Sequence, residues 1–430
     1  MQSLAGKRVT VLGLGRFGGG IAVARWLCGQ NAVVTVVDRE PVEKLADSVR
    51  QLDGLPITFR LGDERESDFT QADLVVTSPA VKPTHPLLLA AEAAGVPVTT
   101  EICLFAERCP GRVFGVTGTK GKSTTSKLLG MMLDTASPGG QCFVGGNIGK
   151  SLLADLPRMV ERSVVVLELS SYMLHWLGKM NWSPHVAVLT MLGRDHLDWH
   201  GGEAGYLDAK RNIVRFQRPG GLLVRRDDDL SQTFQTQPGV SVATYPTDTV
   251  PPLPLQLPGA HNQANAQAAF LAARHAGVTF EAAAAAVQDF RGLPHRLQLV
   301  HESGGVRYFN DSIATIPESA ILACESFESG RVIQIIGGSI KEGLSWDAMC
   351  DRLAGRCKRV LTIGEIGPAL ANRCGEVAEY AETLDAAVAR AKSIARAGDV
   401  VLLSPGTASY DQFANYEKRG ERFAQQVKED

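Results

Sequence analysis

The sequence predicts an α/β protein built of three domains with mostly parallel sheets, and three observations carry that expectation. Short β-branched runs alternate with helical patterns along almost the whole chain, the mark of parallel strands joined by crossover helices. The 430 residues suffice for about three cores at about 150 residues each. Glycine accounts for 44 residues, against an average of about 7%, and it gathers behind apolar runs, where such folds place ligand-binding turns.

Taken in order, the strand-like runs are KRVTVLGLG, AVVTVVD, ITFRLG and DLVVTS, then RVFGVTGTKG, SVVVLELS and HVAVLTML, and last VRYFNDS, RVIQIIGG, RVLTIGE and DVVLLSPG. Helix-like stretches such as GGGIAVARWLCGQ, SKLLGMMLDTA and TFEAAAAAVQDF lie between them. So many strands exceed a usual single sheet, so the chain is expected to divide. One boundary falls near ERCPGR (107–112) and another between Leu297 and Gly305, giving domains 1–108, 109–297 and 298–430. Residues 233–258, rich in Pro, Thr and Gln, read as an irregular surface excursion.

Composition excludes several classes. With 44% hydrophobic and 21% charged residues, the chain is not disordered. A formal net charge of −2 gives no electrostatic footprint for nucleic acid or a membrane surface. Cysteines at 28, 103, 109, 142, 324, 350, 357 and 374 form no C-x-x-C pair and read as reduced thiols. The opening MQSLAGKRVTVLGLG lacks a signal peptide's apolar stretch, and no run of about 18 apolar residues would span a bilayer. A cytoplasmic protein without a membrane partner is expected.

The most informative stretch is GVTGTKGKSTT, 115–125, between the apolar run RVFGV and the helical SKLLGMML. Strand, glycine loop and helix in that order aim backbone N–H groups and a helix N-terminus at phosphate. Gly118, Thr119, Lys120 and Gly121 would wrap a nucleoside triphosphate, with Lys122, Ser123 and Thr124 at the helix start. Lys122 would reach the β- and γ-phosphates, and the Ser123 hydroxyl would ligate Mg²⁺. Val116 stands where the standard P-loop has its first glycine, so the spacing is a variant.

That variant, GTKGKS, closely resembles the G-T-x-G-K-[ST] loop of Mur ligases and folylpolyglutamate synthases, ATP-dependent enzymes that join a carboxylate to an amino acid's amine. Further segments resemble the Mur ligase family in the family's own order. They are GGNIG (145–149), LELSSYML (167–174), RDHLDWH (194–200) with Lys210 downstream, and LPGAHNQANAQAA (257–269). FRGLPHR (290–296), YFNDSIAT (308–315) and SPGTASYDQFANYEKRG (404–420) complete the series. These last three are similar to the members that add D-glutamate to UDP-N-acetylmuramoyl-L-alanine. Folylpolyglutamate synthases ordinarily lack a leading UDP-binding domain.

The resemblance implies a Rossmann-like N-terminal domain for the UDP substrate, a P-loop-type central ATPase domain, and a Rossmann-like C-terminal domain for glutamate. It implies catalysis by Lys122, His196 and Lys210 through an acyl phosphate, with ATP and Mg²⁺ as cofactors. Ser123 and Glu168 would hold a first Mg²⁺; His196 and a carbamylated Lys210 would hold a second. Asn262 and Asn265 would meet the nucleotide base, and Arg296 and Asp311 the phosphates and ribose. Asn147 would contact the acyl substrate. Gly15, Arg16 and Phe17 would lie under the UDP diphosphate, with Asp38 and Arg39 toward the uracil and Ser78 in the added loop SPAVKP. Thr315, Lys341 and Ser409 would bind the glutamate carboxylates, with Tyr416 beside its side chain. Two positions depart from the commonest pattern: Ile313 stands where many members have lysine, and GGSIK lacks an aspartate after its glycines. A monomer without nucleic-acid partners is expected.

A rival reading starts from GLGRFG (13–18), with Asp38 25 residues beyond Gly13. This fits a dinucleotide fingerprint and resembles the nucleotide loop of potassium-uptake regulatory domains. Alone it would indicate an NAD-sensing protein. The later motifs favour the ligase.

Overall fold

The computed structural model describes residues 3–15, 19–137, 141–340 and 345–429. Three sheets follow one another along the chain. The first holds β1 (Arg8–Leu12), β2 (Val33–Asp38), β3 (Ile57–Leu61), β4 (Leu74–Thr77) and β5 (Val98–Thr100), all paired in parallel. Its order, β3-β2-β1-β4-β5, is that of a doubly wound fold, with the switch point between β1 and β4. Valines 9, 11, 34, 36, 75 and 76 are buried within it. The helix Gly19–Gly29 can enter here only because residue 20 is glycine: a Cβ would lie 2.4 Å from the Gly13 carbonyl oxygen.

The second sheet holds β6 (Arg112–Thr117), β7 (Cys142–Gly146), β8 (Val164–Glu168), β9 (Val186–Leu189), β10 (Leu222–Arg226) and β11 (Ser241–Tyr245). The order is β11-β10-β9-β6-β8-β7, parallel throughout. Runs such as VVVLE and VAVL read as continuous apolar strands because helices cover both faces. β11 corrects the expectation of an irregular excursion over 233–258. It is an edge strand whose Ser241, Val242 and Thr244 are exposed, so the apolar signal is weak.

The third sheet is mixed. β12 (Gln298–Ser303) and β13 (Val306–Asn310) form an antiparallel hairpin turned by Gly304 and Gly305, both at positive φ, as a tight hairpin requires. β14 (Val332–Gly337), β15 (Cys357–Ile363), β16 (Ala378–Glu382) and β17 (Val400–Leu403) are parallel to β13, in the order β12-β13-β17-β14-β15-β16. Alternate residues of β14 enter different cores: Val332 and Ile336 face one apolar cluster, Ile333 and Ile335 the other. By contrast, one continuous cluster joins the first two sheets. The chain accordingly divides into two compact units, residues 1–251 with 264–286, and 252–263 with 287–430.

Candidate active site

β6 ends at Thr117, and the loop beyond it is fixed by the segment that follows β9. Thr119 and Lys120 N–H both donate to the Met191 carbonyl, at 2.7 and 3.2 Å. The Thr190 hydroxyl lies 2.8 Å from the Lys120 carbonyl oxygen and 3.1 Å from that of Thr117. Gly118, at φ 150°, passes so close that a Cβ would meet the Thr190 hydroxyl oxygen at 1.9 Å. Gly121, at φ 89°, faces the Asn265 side chain, which a Cβ would meet at 2.5 Å. Gly121 caps the helix Lys122–Asp134 without a side-chain bond, and the first helical bond runs from Thr125 N–H to its carbonyl. The N–H groups of Lys122, Ser123 and Thr124 therefore point out of the helix end as an anion cradle. Gly118→Ala is expected to weaken ADP binding at least about tenfold, about 1.4 kcal/mol, by calorimetry, because the loop must shift off Thr190.

Glu168 ends β8, one strand over from the loop, in register with Val116. It is 1% exposed. Its Oε1 accepts from the Asn147 amide at 2.9 Å, and its Oε2 is buried with no hydrogen-bond partner among the described residues. A buried carboxylate oxygen left so is costly unless a cation or donor meets it. With the Ser123 hydroxyl at the neighbouring helix start, the hard-oxygen chemistry fits Mg²⁺. Among the described residues no three His, Cys, Asp or Glu side chains could hold a metal together. Glu168 and Ser123 would therefore hold such an ion only with oxygens from outside that set of side chains.

Lys210, on the helix Glu203–Arg215, is 1% exposed beneath the loop. It donates to the Gly118 carbonyl at 2.8 Å and to the Thr117 hydroxyl at 3.2 Å, and its Nζ lies 4.8 Å from the centre of the Tyr206 ring. Burial, reinforced by the Lys122 charge, holds its amine well below the ordinary lysine range. Tyr206, one helical turn earlier, shares a hydrogen bond of 2.7 Å with the Thr119 hydroxyl, and burial raises its phenol to about 12. His200 meets the Ser171 hydroxyl at 2.9 Å; burial, then the charges of His175, His196 and Lys210, pull it down to about 4, so it is neutral. His196 stands at φ 51° with its N–H on Asp195 Oδ1 at 3.0 Å and its ring 4.7 Å from Tyr172. Sequence reasoning missed Thr190, Tyr172 and Tyr206. Tyr206 lay within reach, four residues before Lys210 and so on the same helical face.

At the first sheet's switch point, the Asp38 carboxylate accepts from Gly15 N–H at 3.1 Å and Glu40 N–H at 3.0 Å, bracing the glycine turn. Ser78 leaves β4 against Gly13, whose Cβ would lie 3.4 Å from the serine Cβ. Arg39 is exposed nearby in sequence. Arg16 and Phe17 lie outside the described residues, as does Lys341.

The other unit holds Asn262, Arg296, Asp311, Thr315, Ser409 and Tyr416. Asn262 donates to the Pro258 carbonyl at 2.7 Å. Asp311 is buried, with its two oxygens taken by the Ser404 hydroxyl at 2.7 Å and Leu297 N–H at 3.1 Å; burial raises its carboxyl to about 7. Arg296 is half-buried on the same turn as Leu297. Thr315 precedes the helix Pro317–Glu325, Ser409 is buried, and Tyr416 opens the helix Tyr416–Gln426. Arg419, unremarked in the sequence, organises this end of the sheet. Its buried guanidinium donates to Ser312 Oγ and O at 3.0 Å, the Thr407 carbonyl at 3.1 Å and the Ala408 carbonyl at 3.2 Å. It thereby ties together the loops that carry Thr315 and Ser409.

Fold and site together define a class: a P-loop nucleotide-binding α/β protein with a doubly wound sheet before the loop domain and a mixed sheet after it. Family models match along the chain: "Mur ligase MurD-like, N-terminal domain" over 7–100, "Mur ligase middle domain" over 116–250, and "Mur ligase, glutamate ligase domain" over 295–406. The chain is 39% identical over 466 aligned positions to the UDP-N-acetylmuramoylalanine--D-glutamate ligase of Roseiflexus sp. strain RS-1, covering 98% of each. It is 36% identical to the ligase of that name from Geobacter metallireducens, covering 98% of this chain and 97% of that one. The chain belongs to the Mur ligase family. Among solved structures, the UDP-N-acetylmuramate-alanine ligase of Thermotoga maritima shares the fold, with a TM-score of 0.61 at 20% identity over 97% of this chain and 98% of that one. The match over 7–100 removes the NAD-sensing alternative. Among the described residues no helix is long and apolar enough to cross a membrane.

Proposed function

We infer that the chain is an ATP-dependent ligase that joins D-glutamate to UDP-N-acetylmuramoyl-L-alanine in peptidoglycan precursor synthesis, acting in the cytoplasm. The observation that carries this reading is the buried, half-satisfied Glu168 carboxylate beside a phosphate loop, in a chain whose relatives of that activity match it end to end. A carboxylate is a poor electrophile. Transfer of the ATP γ-phosphoryl to the alanyl carboxylate makes an acyl phosphate, and the glutamate amine displaces phosphate to form the amide. An anionic acceptor must approach a polyanion, so the chain supplies positive charge and positioning.

In this reading residues 1–108 bind UDP, 109–297 bind ATP and 298–430 bind glutamate. The N–H groups from Gly118 to Thr124 seat the phosphates, and Lys122 neutralises the β and γ oxygens. Glu168 and Ser123 would hold Mg²⁺, with His196 and carbamylated Lys210 at a second ion; bound there, the metal polarises phosphoryl and carboxylate oxygens. Asn147 fixes Glu168 and faces the acyl substrate. Asn262, Asn265, Arg296 and Asp311 serve the nucleoside. Gly15, Arg16, Phe17, Asp38, Arg39 and Ser78 serve UDP. Thr315, Lys341, Ser409 and Tyr416 serve glutamate.

Phosphate release with UDP-N-acetylmuramoyl-L-alanine tests the reading, with D-glutamate, L-glutamate, D-aspartate and meso-diaminopimelate offered in parallel. D-glutamate alone should support turnover; a preference for another amine overturns the substrate, and release with none overturns the ligase. Glutamate offers two carboxylates, and with isoleucine at 313 the cation for them falls to Lys341. Lys341→Ala should raise the KM for D-glutamate at least about tenfold, about 1.4 kcal/mol, with the KM for ATP unchanged. An unchanged glutamate KM would remove Lys341 from the site.

A further inference from the structure

The segment RDHLDWH ends in a single helical turn, Leu197–His200, with His196 at its start in the left-handed region. A lone turn does not hold itself, and a non-glycine residue at positive φ costs about 1 kcal/mol, so its shape is imposed by neighbours. Two of those neighbours come from the loop that follows β4. The Trp199 indole N–H donates to the Ala80 carbonyl at 2.8 Å, and the Lys82 ammonium donates to the Asp198 carbonyl at 2.9 Å. Ala80 and Lys82 belong to SPAVKP, the loop that starts at Ser78 beside Gly13. On its other side the Trp199 ring lies 4.8 Å from Tyr172, whose ring in turn lies 4.7 Å from His196. One half-buried indole thus joins the Ser78 loop to the ring packed on His196.

We propose that Trp199 is a positioning residue that couples the nucleotide-sugar loop to His196, so that the UDP-linked substrate and a divalent cation at His196 favour each other's binding. The proposal rests on the functional reading above. Substrate that orders the loop through Ser78 also fixes the Ala80 carbonyl, and through Trp199 and Asp198 it fixes the turn. A cation on His196 does the same in reverse, because coupling between two binding sites is reciprocal. The indole N–H is the essential part. Phenylalanine at 199 keeps the stack on Tyr172 and loses the tie to Ala80.

The test is a binding measurement. UDP-N-acetylmuramoyl-L-alanine is titrated into protein saturated with a non-hydrolysable ATP analogue, at low and at high Mg²⁺. In the parent protein high Mg²⁺ should tighten the substrate at least about fivefold, the lower end of usual coupling. In Trp199→Phe that ratio should fall below about twofold, with analogue affinity and melting temperature unchanged. Lys82→Ala, at an exposed position, should lower the ratio as well and serves if Trp199→Phe does not fold. A parent protein whose substrate affinity ignores Mg²⁺, or variants that keep the full ratio, overturn the coupling while leaving the ligase standing. A parent protein that does not bind the UDP substrate at all overturns the functional reading and the coupling with it.

Discussion

Lys122→Ala is expected to reduce D-glutamate-dependent phosphate release at least about a thousandfold, about 4 kcal/mol of transition-state stabilisation, with thermal unfolding unchanged within about 2 °C. The split follows from where the side chain lies. Lys122 opens its helix, and its Nζ donates to the Thr119 carbonyl at 3.0 Å, on the loop and outside the apolar cluster. Deleting it removes charge from the place where phosphate charge shifts, and leaves the packing of Leu128, Leu129 and Met132 intact. A second consequence checks the electrostatics. Lys122 is one of the charges that depress Lys210, so its loss should raise the pH at which Lys210 becomes neutral. Near-normal turnover in the variant would take the loop out of the mechanism.

Much of the fold was legible because its central strands are buried on both faces. β1, β6, β9, β14 and β17 read as plain apolar runs for that reason. The strands that sequence reasoning passed over are mostly edges: β5, β7, β11, β12 and β16 each end a sheet. An edge strand is half solvated, so its pattern fades into loop composition, as in SVATY and AEYAE. β10 was missed from the interior, where LLVRR ends in two arginines.

The site divides along the same physical line. Glycines and charges with a local geometric duty announce themselves, as Gly118 and Lys122 do. Residues whose duty is set by a distant partner do not. Thr190 acts by filling the space over Gly118, Arg419 by collecting carbonyls from two loops, and Trp199 by reaching a loop 119 positions earlier. No spacing within the sequence encodes those pairings, since each depends on which strands become neighbours.

Lys210→Ala should leave no more than about a thousandth of the activity, and small carboxylates such as acetate should restore part of it. The reasoning starts from the burial of an amine that has carbonyl and hydroxyl acceptors. Burial first, and Lys122 second, disfavour its charged form. Only a neutral amine reacts with CO₂, giving a carbamate and releasing a proton, so a depressed pKa would favour the proposed carbamylation near neutral pH. The product inverts the local electrostatics: Lys122 repels an ammonium at this position and attracts an anion. Stability gives an independent reading of the unmodified side chain. A lysine whose folded pKa is lowered destabilises the fold while it must stay charged, and that cost fades as pH rises through the folded pKa toward the unfolded one. Lys210→Met fills similar space without a charge. It should therefore melt no lower than the CO₂-depleted parent protein at neutral pH, and its advantage should shrink as pH is raised, while its activity stays lost. Mass spectrometry under CO₂ should show a labile 44 Da increment on the parent protein and none on Lys210→Met, the mass of one added CO₂ being about 44 Da. Full activity in Lys210→Ala, or parent activity indifferent to CO₂ depletion and to acetate, would reduce Lys210 to a brace under the phosphate loop.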